Sequence, residues 1–111
     1  MEFNEYQQLA SRTALFNKPD KDYILMILCL GIAGESGEIL EKVKHLMRDD
    51  KGEITPERRE SIKKEIGDVL WYLSQLAKEL DISFDEIAKA NIEKTHSRLE
   101  RGMLNSEGDN R

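Results

Sequence analysis

Ile32-Ala33-Gly34-Glu35-Ser36-Gly37-Glu38-Ile39-Leu40-Glu41-Lys42-Val43-Lys44-His45-Leu46 is the stretch on which the fold turns. Ile32, Ile39, Val43 and Leu46 fall at offsets 0, 7, 11 and 14, the repeat of an α-helix that buries one face. Outward from it the same period recurs, and no alternating strand pattern of useful length interrupts it. Upstream, the helix reaches back to about Asp20, and Asn17-Lys18-Pro19-Asp20 separates it from a first helix over about Phe3 to Phe16. Downstream, it ends near Met47 in the charged turn Arg48-Asp49-Asp50-Lys51-Gly52-Glu53. Thr55-Pro56 then opens a third helix, with the hydroxyl as cap and the proline at the first helical position. Ile62, Ile66, Val69, Leu73, Leu76 and Leu80 mark its buried face. Ser83-Phe84-Asp85-Glu86 is a capping box for a fourth helix, closed near Arg101 by Gly102. The expectation is an all-α bundle of four to five helices, one domain over residues 1–104, with a polar, flexible tail over 105–111.

Composition narrows the function. Among 111 residues, 17 Lys and Arg against 22 Asp and Glu leave a formal charge of −5, with no basic cluster, so a nucleic-acid polymer is not the expected partner. The single cysteine, Cys29, rules out an intramolecular disulfide framework and a Cys-rich zinc module, and its place in an apolar run suggests inert packing. Met1-Glu2-Phe3-Asn4-Glu5 resembles no secretory signal, and the longest apolar run, Tyr23 to Leu30, is short for a bilayer. A cytoplasmic, non-membrane protein is expected. An apolar content of 39% is low for so small a domain, which favours burial between subunits.

The residues that break the pattern carry the chemistry. Glu35 occupies offset 3 of the stripe begun at Ile32, and Glu38 follows one turn on. In the third helix Glu65 lies beside Ile62, Ile66, Val69 and Leu73, and Asp68 follows at the same spacing. Either pair alone is commonly a solvated helix face. Two pairs on the core-facing sides of consecutive antiparallel helices would repel and lose hydration unless protonated, paired or bound to metal. With no His or Cys at matching offsets, the metal expected is hard: Mg²⁺ or Mn²⁺, sharing its shell with substrate phosphates. Gly31, Gly34 and Gly37 are three glycines in seven helical positions, at a cost of about 1 kcal/mol each, and imply close approach of a helix or ligand.

Leu30-Gly31-Ile32-Ala33-Gly34-Glu35-Ser36-Gly37-Glu38 and Lys63-Lys64-Glu65-Ile66-Gly67-Asp68-Val69-Leu70-Trp71-Tyr72-Leu73 closely resemble the MazG-like nucleotide pyrophosphohydrolases of the all-α NTP pyrophosphatase superfamily. The signature of that family is E-x-x-E, a spacer, then E-x-x-D, and the spacer Ile39 to Lys64 has a length usual for it. Asn91-Ile92-Glu93-Lys94 with Arg98 matches a third family element, although Leu99 stands where relatives often have an aromatic residue. The resemblance implies cleavage of a nucleoside triphosphate between the α- and β-phosphates, for control or sanitation of the nucleotide pool. It makes Glu35, Glu38, Glu65 and Asp68 the metal ligands, with Glu35 or Glu38 also orienting or deprotonating the attacking water. Asn91, Lys94 and Arg98 would meet the nucleotide and Tyr72 would lie beside it. It also implies a homodimer or a dimer of dimers.

Two other readings stay open on the residues. One is a non-catalytic helical interaction protein whose acidic seam holds a cation. The other is a hydrolase of a modified or signalling nucleotide, which shares the site and differs only in the base or ribose pocket. Among the remaining residues, Glu93 and His96 share a spacing with di-iron sites but lack the second motif those sites need, and read as surface. Lys63-Lys64 and Arg58-Arg59 read as a solvated face, and Trp71 as a core or interface aromatic.

Overall fold

The computed structural model describes residues 1–105 and 107–109 and is helical throughout its regular structure. Four α-helices follow in order: α1 (Phe3–Ala10), α2 (Lys21–Asp49), α3 (Pro56–Glu79) and α4 (Phe84–Glu100). The first helix is shorter than its periodicity suggests. A 3₁₀ turn over Ser11–Thr13 ends it, and the Ser11 and Thr13 hydroxyls donate back to the carbonyls of Gln8 and Ala10. Short hydroxyl side chains compete in this way for the carbonyls that a longer helix would use.

The caps at Thr55 and Ser83 fall where the sequence places them, and Asp20 proves to be a third. Asp20 accepts from the Tyr23 N–H at 2.8 Å, Thr55 Oγ1 from Arg58 N–H at 3.1 Å, and Ser83 Oγ from Glu86 N–H at 3.3 Å. At the end of α4, Gly102 has φ +68°, the Met103 N–H reaches the Arg98 carbonyl at 2.7 Å, and the Gly102 N–H reaches Leu99 at 3.2 Å. This is a Schellman turn, and it reverses the chain.

α2 and α3 form an antiparallel hairpin whose register is fixed by three meetings: Gly31 with Tyr72, Lys42 with Glu65, and Asp50 with Arg58. Arg58 is no free surface charge, because its Nε donates to Asp50 Oδ2 at 2.7 Å and closes the loop between the helices. α1 lies across the far end as a clamp. Gln7 Nε2 donates to the carbonyls of Ser74 (3.1 Å) and Ile82 (3.0 Å), while Gln7 Oε1 accepts from the Phe84 N–H at 3.2 Å. Asn4 Oδ1 accepts from Ser83 Oγ and the Asp85 N–H. Phe84 is buried, with the Phe3 ring edge-on at 5.3 Å and Tyr6 stacked at 6.4 Å. Trp71 packs edge-on against Tyr72, and its indole N–H donates to Ala10 O and Thr13 Oγ1, tying the 3₁₀ turn to α3.

Little of the apolar set is hidden by one chain. Among the described residues the buried apolar side chains are Leu28, Leu46, Ala77 and Phe84. Met26, Leu30, Leu40 and Met47 on α2 are 61–70% exposed. Cys29 is exposed as well, against the expectation of packing, because it lies about 100° round the helix from the buried Leu28. The radius of gyration is 17.0 Å, against about 13 Å for a compact chain of this length. By length and composition alone α2 could cross a membrane, since a window wider than the uninterrupted run takes in its small residues and few charges. The same helix forms one wall of the hairpin.

Candidate active site

The hairpin register carries the carboxylates of α2 to those of α3. Glu35 and Glu65 are half-buried, Asp68 is exposed, and the three each offer an oxygen within 4.8 Å of the others. Glu38, one turn further along α2, is exposed and lies outside this group. Like charges so close disfavour full ionisation. The Glu35 pKa is accordingly raised, first by loss of hydration, then by the charges of Asp68 and Glu65, the hydrogen bond with Glu65, and the charge of Glu38. Among the described residues, the one ion pair made with the cluster is the long contact of Lys42 Nζ with Glu65 Oε1 at 4.0 Å. One lysine does not balance three carboxylates. The donors are all oxygen and the local charge is negative, so the set fits a hard divalent cation.

Tyr72 stands one turn beyond Asp68, its ring laid against Gly31 of α2. A side chain at position 31 would occupy the space of the ring. That accounts for one of the three α2 glycines, whereas a Cβ added at Gly34 or Gly37 would meet no other element within 4 Å among the described residues.

The residues expected on α4 form a second, separate group. Among the described residues no hydrogen bond or ion pair joins Asn91, Lys94 or Arg98 to the carboxylates. Lys94 Nζ lies 3.5 Å from Asp109 Oδ1, and Arg98 Nη2 lies 3.3 Å from the same oxygen. The two cations hold the Asp109 carboxyl below its usual range. Arg98 is only 5% exposed, and among the described residues its Nε has no hydrogen-bond partner. Asn91 lines an apolar groove of about 420 Å³ with Phe3, Leu73, Phe84, Ile87, Ala88 and Ile92.

Residues 26–103 match the MazG nucleotide pyrophosphohydrolase domain, a span that takes in most of the chain and all eight of these side chains. The chain belongs to the MazG family. It is also 42% identical, over the full length of both proteins, to the Gene 37 protein of Mycobacterium phage L5, a name that states no activity. No solved structure matches it.

Two residues escaped the sequence reading, Lys42 within the MazG span and Asp109 beyond its end. Lys42 sits seven residues after Glu35 on the same helical face, so two turns of helix geometry could have found it. Asp109 carries no such signal, because it reaches Lys94 and Arg98 only through the chain reversal at Gly102. The tail expectation falls partly on Ser106, Asn110 and Arg111, which lie outside the described residues; Gly108 and Asp109 return to α4.

Proposed function

We propose that this MazG protein hydrolyses nucleoside triphosphates, ribo- or deoxyribonucleotides, to the monophosphate and pyrophosphate, with Mg²⁺ as metal and Mn²⁺ as a substitute. The observation that carries the reading is the meeting of Glu35, Glu65 and Asp68 on facing helices of a MazG domain. Glu35, Glu65 and Asp68 would hold the cation, with Glu38 completing the set. When bound, divalent cations supply activation of water and neutralisation of phosphate oxygens. The chain's own contribution is positional, as phosphoryl transfer demands. Glu35 or Glu38 orients the attacking water and accepts its proton. Lys94 and Arg98 balance charge on the phosphates, Asn91 contacts the nucleotide, and the Tyr72 ring borders it.

Among the described residues of a single chain no hydrogen bond or ion pair joins the α4 cations to the carboxylates, and much apolar surface on α2 is uncovered. Both features support a homodimer, or a dimer of dimers, in which the active site is completed across the interface. Pool control or sanitation in the cytoplasm is the role that suits this reaction.

The test is product analysis by ion-exchange chromatography after incubating the protein with Mg²⁺ and a panel of NTPs and dNTPs. The expected result is monophosphate plus pyrophosphate, lost in EDTA and in the Glu38→Gln variant. Diphosphate plus phosphate would refute the cleavage position. A folded oligomer that turns over no nucleotide would refute the reading itself.

A further inference from the structure

The C-terminal segment after α4 engages the same two cations to which the proposed function assigns substrate phosphate. Gly102 turns the chain back along α4, and three oxygens of the returning segment converge on one nitrogen, Arg98 Nη2. They are the Gly108 carbonyl at 3.5 Å, the Asp109 carbonyl at 2.9 Å and Asp109 Oδ1 at 3.3 Å. Asp109 Oδ1 also meets Lys94 Nζ, so a single carboxylate oxygen bridges residues i and i+4 of the helix. That is the arrangement in which a phosphate oxygen would be held.

The fit is incomplete in an informative way. Arginine binds oxyanions best as a fork, with two of its nitrogens used together. Here the segment loads Nη2 alone and leaves Nε buried without a partner, an unfavourable state for so polar an atom. A phosphate or pyrophosphate group carries enough oxygens to take Nε and Nη2 together. Asp109 itself is 86% exposed at its side chain, and among the described residues its carboxylate is held by Arg98 and Lys94. The contact is therefore weak and open to displacement.

We propose that Asp109 is an intramolecular competitor for the Lys94–Arg98 anion site, a tethered carboxylate that occupies the phosphate position until a polyphosphate displaces it. The inference rests on the proposed function for the identity of the natural ligand, but not for the existence of the anion site. Its consequence is an apparent affinity lower than the site could give, because bound ligand must first expel the tail.

Inorganic pyrophosphate, titrated calorimetrically into the full-length protein at low salt, tests this. Four proteins are compared: the parent, Asp109→Asn, Glu107→Gln and Lys94→Gln. Asp109→Asn should bind pyrophosphate about two- to fivefold more tightly, the range expected from removing a largely exposed carboxylate from its ion pairs with Lys94 and Arg98. The gain should shrink as salt is raised. Glu107→Gln removes the same charge from the same segment and should leave the affinity unchanged, whereas Lys94→Gln should weaken binding. Equal tightening in Asp109→Asn and Glu107→Gln would reduce the effect to net charge and overturn the proposal. Unchanged or weaker binding by Asp109→Asn, or no pyrophosphate binding by the parent and Asp109→Asn alike, would overturn it too. If nucleotide turnover is absent while Asp109→Asn alone tightens pyrophosphate, the catalytic reading fails and the competing tail stands. In an active enzyme the same variant should lower KM and leave kcat unchanged.

Discussion

A methyl group added at Gly31 should destabilise the protein, although alanine is the better helix former. In isolation Gly→Ala within a helix contributes about 1 kcal/mol of stability. At position 31 the new Cβ would fall on Cε1, Cδ1 and Cζ of Tyr72, so the ring has to leave its place or the two helices have to part. Overpacking of this kind costs about 1–3 kcal/mol, and a clash with three atoms of a rigid ring belongs at the upper end. The net expectation for Gly31→Ala is a loss of about 2 kcal/mol, or about 8 °C in Tm at fixed protein concentration. Gly67→Ala is the matched control, because nothing lies within 4 Å of its added carbon, and it should gain about 1 kcal/mol. Urea denaturation followed by circular dichroism measures both. Repeating Gly31→Ala in a Tyr72→Ala background removes the obstacle and should restore the gain, a coupling of about 3 kcal/mol. If Gly31→Ala stabilises as much as Gly67→Ala, the ring does not lie where the argument needs it.

The metal-free protein should also respond to pH through Glu35. Its pKa is higher in the folded state than in the unfolded chain, so the native state holds a proton that the unfolded state releases. That contribution is fully present below the ordinary glutamate pKa and is lost as pH rises through the raised value. In EDTA, Glu35→Gln should therefore gain Tm relative to the parent as pH rises from about 4 to about 7, and divalent cation should reverse the order; a difference that does not vary with pH refutes the assignment. Gln7→Ala should cost about 2–3 kcal/mol, since it strips partners from the Ser74 and Ile82 carbonyls and the Phe84 N–H together. A loss below about 0.5 kcal/mol in the same urea assay would show that water replaces the side chain freely.

What could be read before folding was whatever helix geometry repeats. The caps at Thr55 and Ser83 follow from residue type at a helix start, and the hairpin of the second and third helices and the meeting of Glu35 with Glu65 and Asp68 follow from period and loop length. Glu38, which is exposed, does not join them: it lies outside the group that Glu35 forms with Glu65 and Asp68, a difference from Asp68 that the equal three-residue spacing could not reveal. The exposure of Cys29 was hidden for a related reason. An apolar run has no period, so it does not say which of its residues faces the partner helix. The clamp made by Asn4 and Gln7 was illegible altogether, since polar side chains that reach across the fold leave no repeat. Asp109 belongs with them, brought to Lys94 by a reversal whose direction only the backbone reveals.

The clamp bears on how the chain is made. Gln7 and Asn4 find their partners 67 to 81 residues away, in the last turns of α3, the turn that follows it and the start of α4. Those partners are synthesised long after α1 has left the ribosome, whereas α2 and α3 need only a short loop to meet. At a synthesis rate of roughly 5–20 residues per second, α1 waits for several seconds with Phe3 and Tyr6 in water. α1 is then placed only after partners made much later than itself, and a lesion in Gln7 should show in yield from cells more sharply than in the stability of the purified protein.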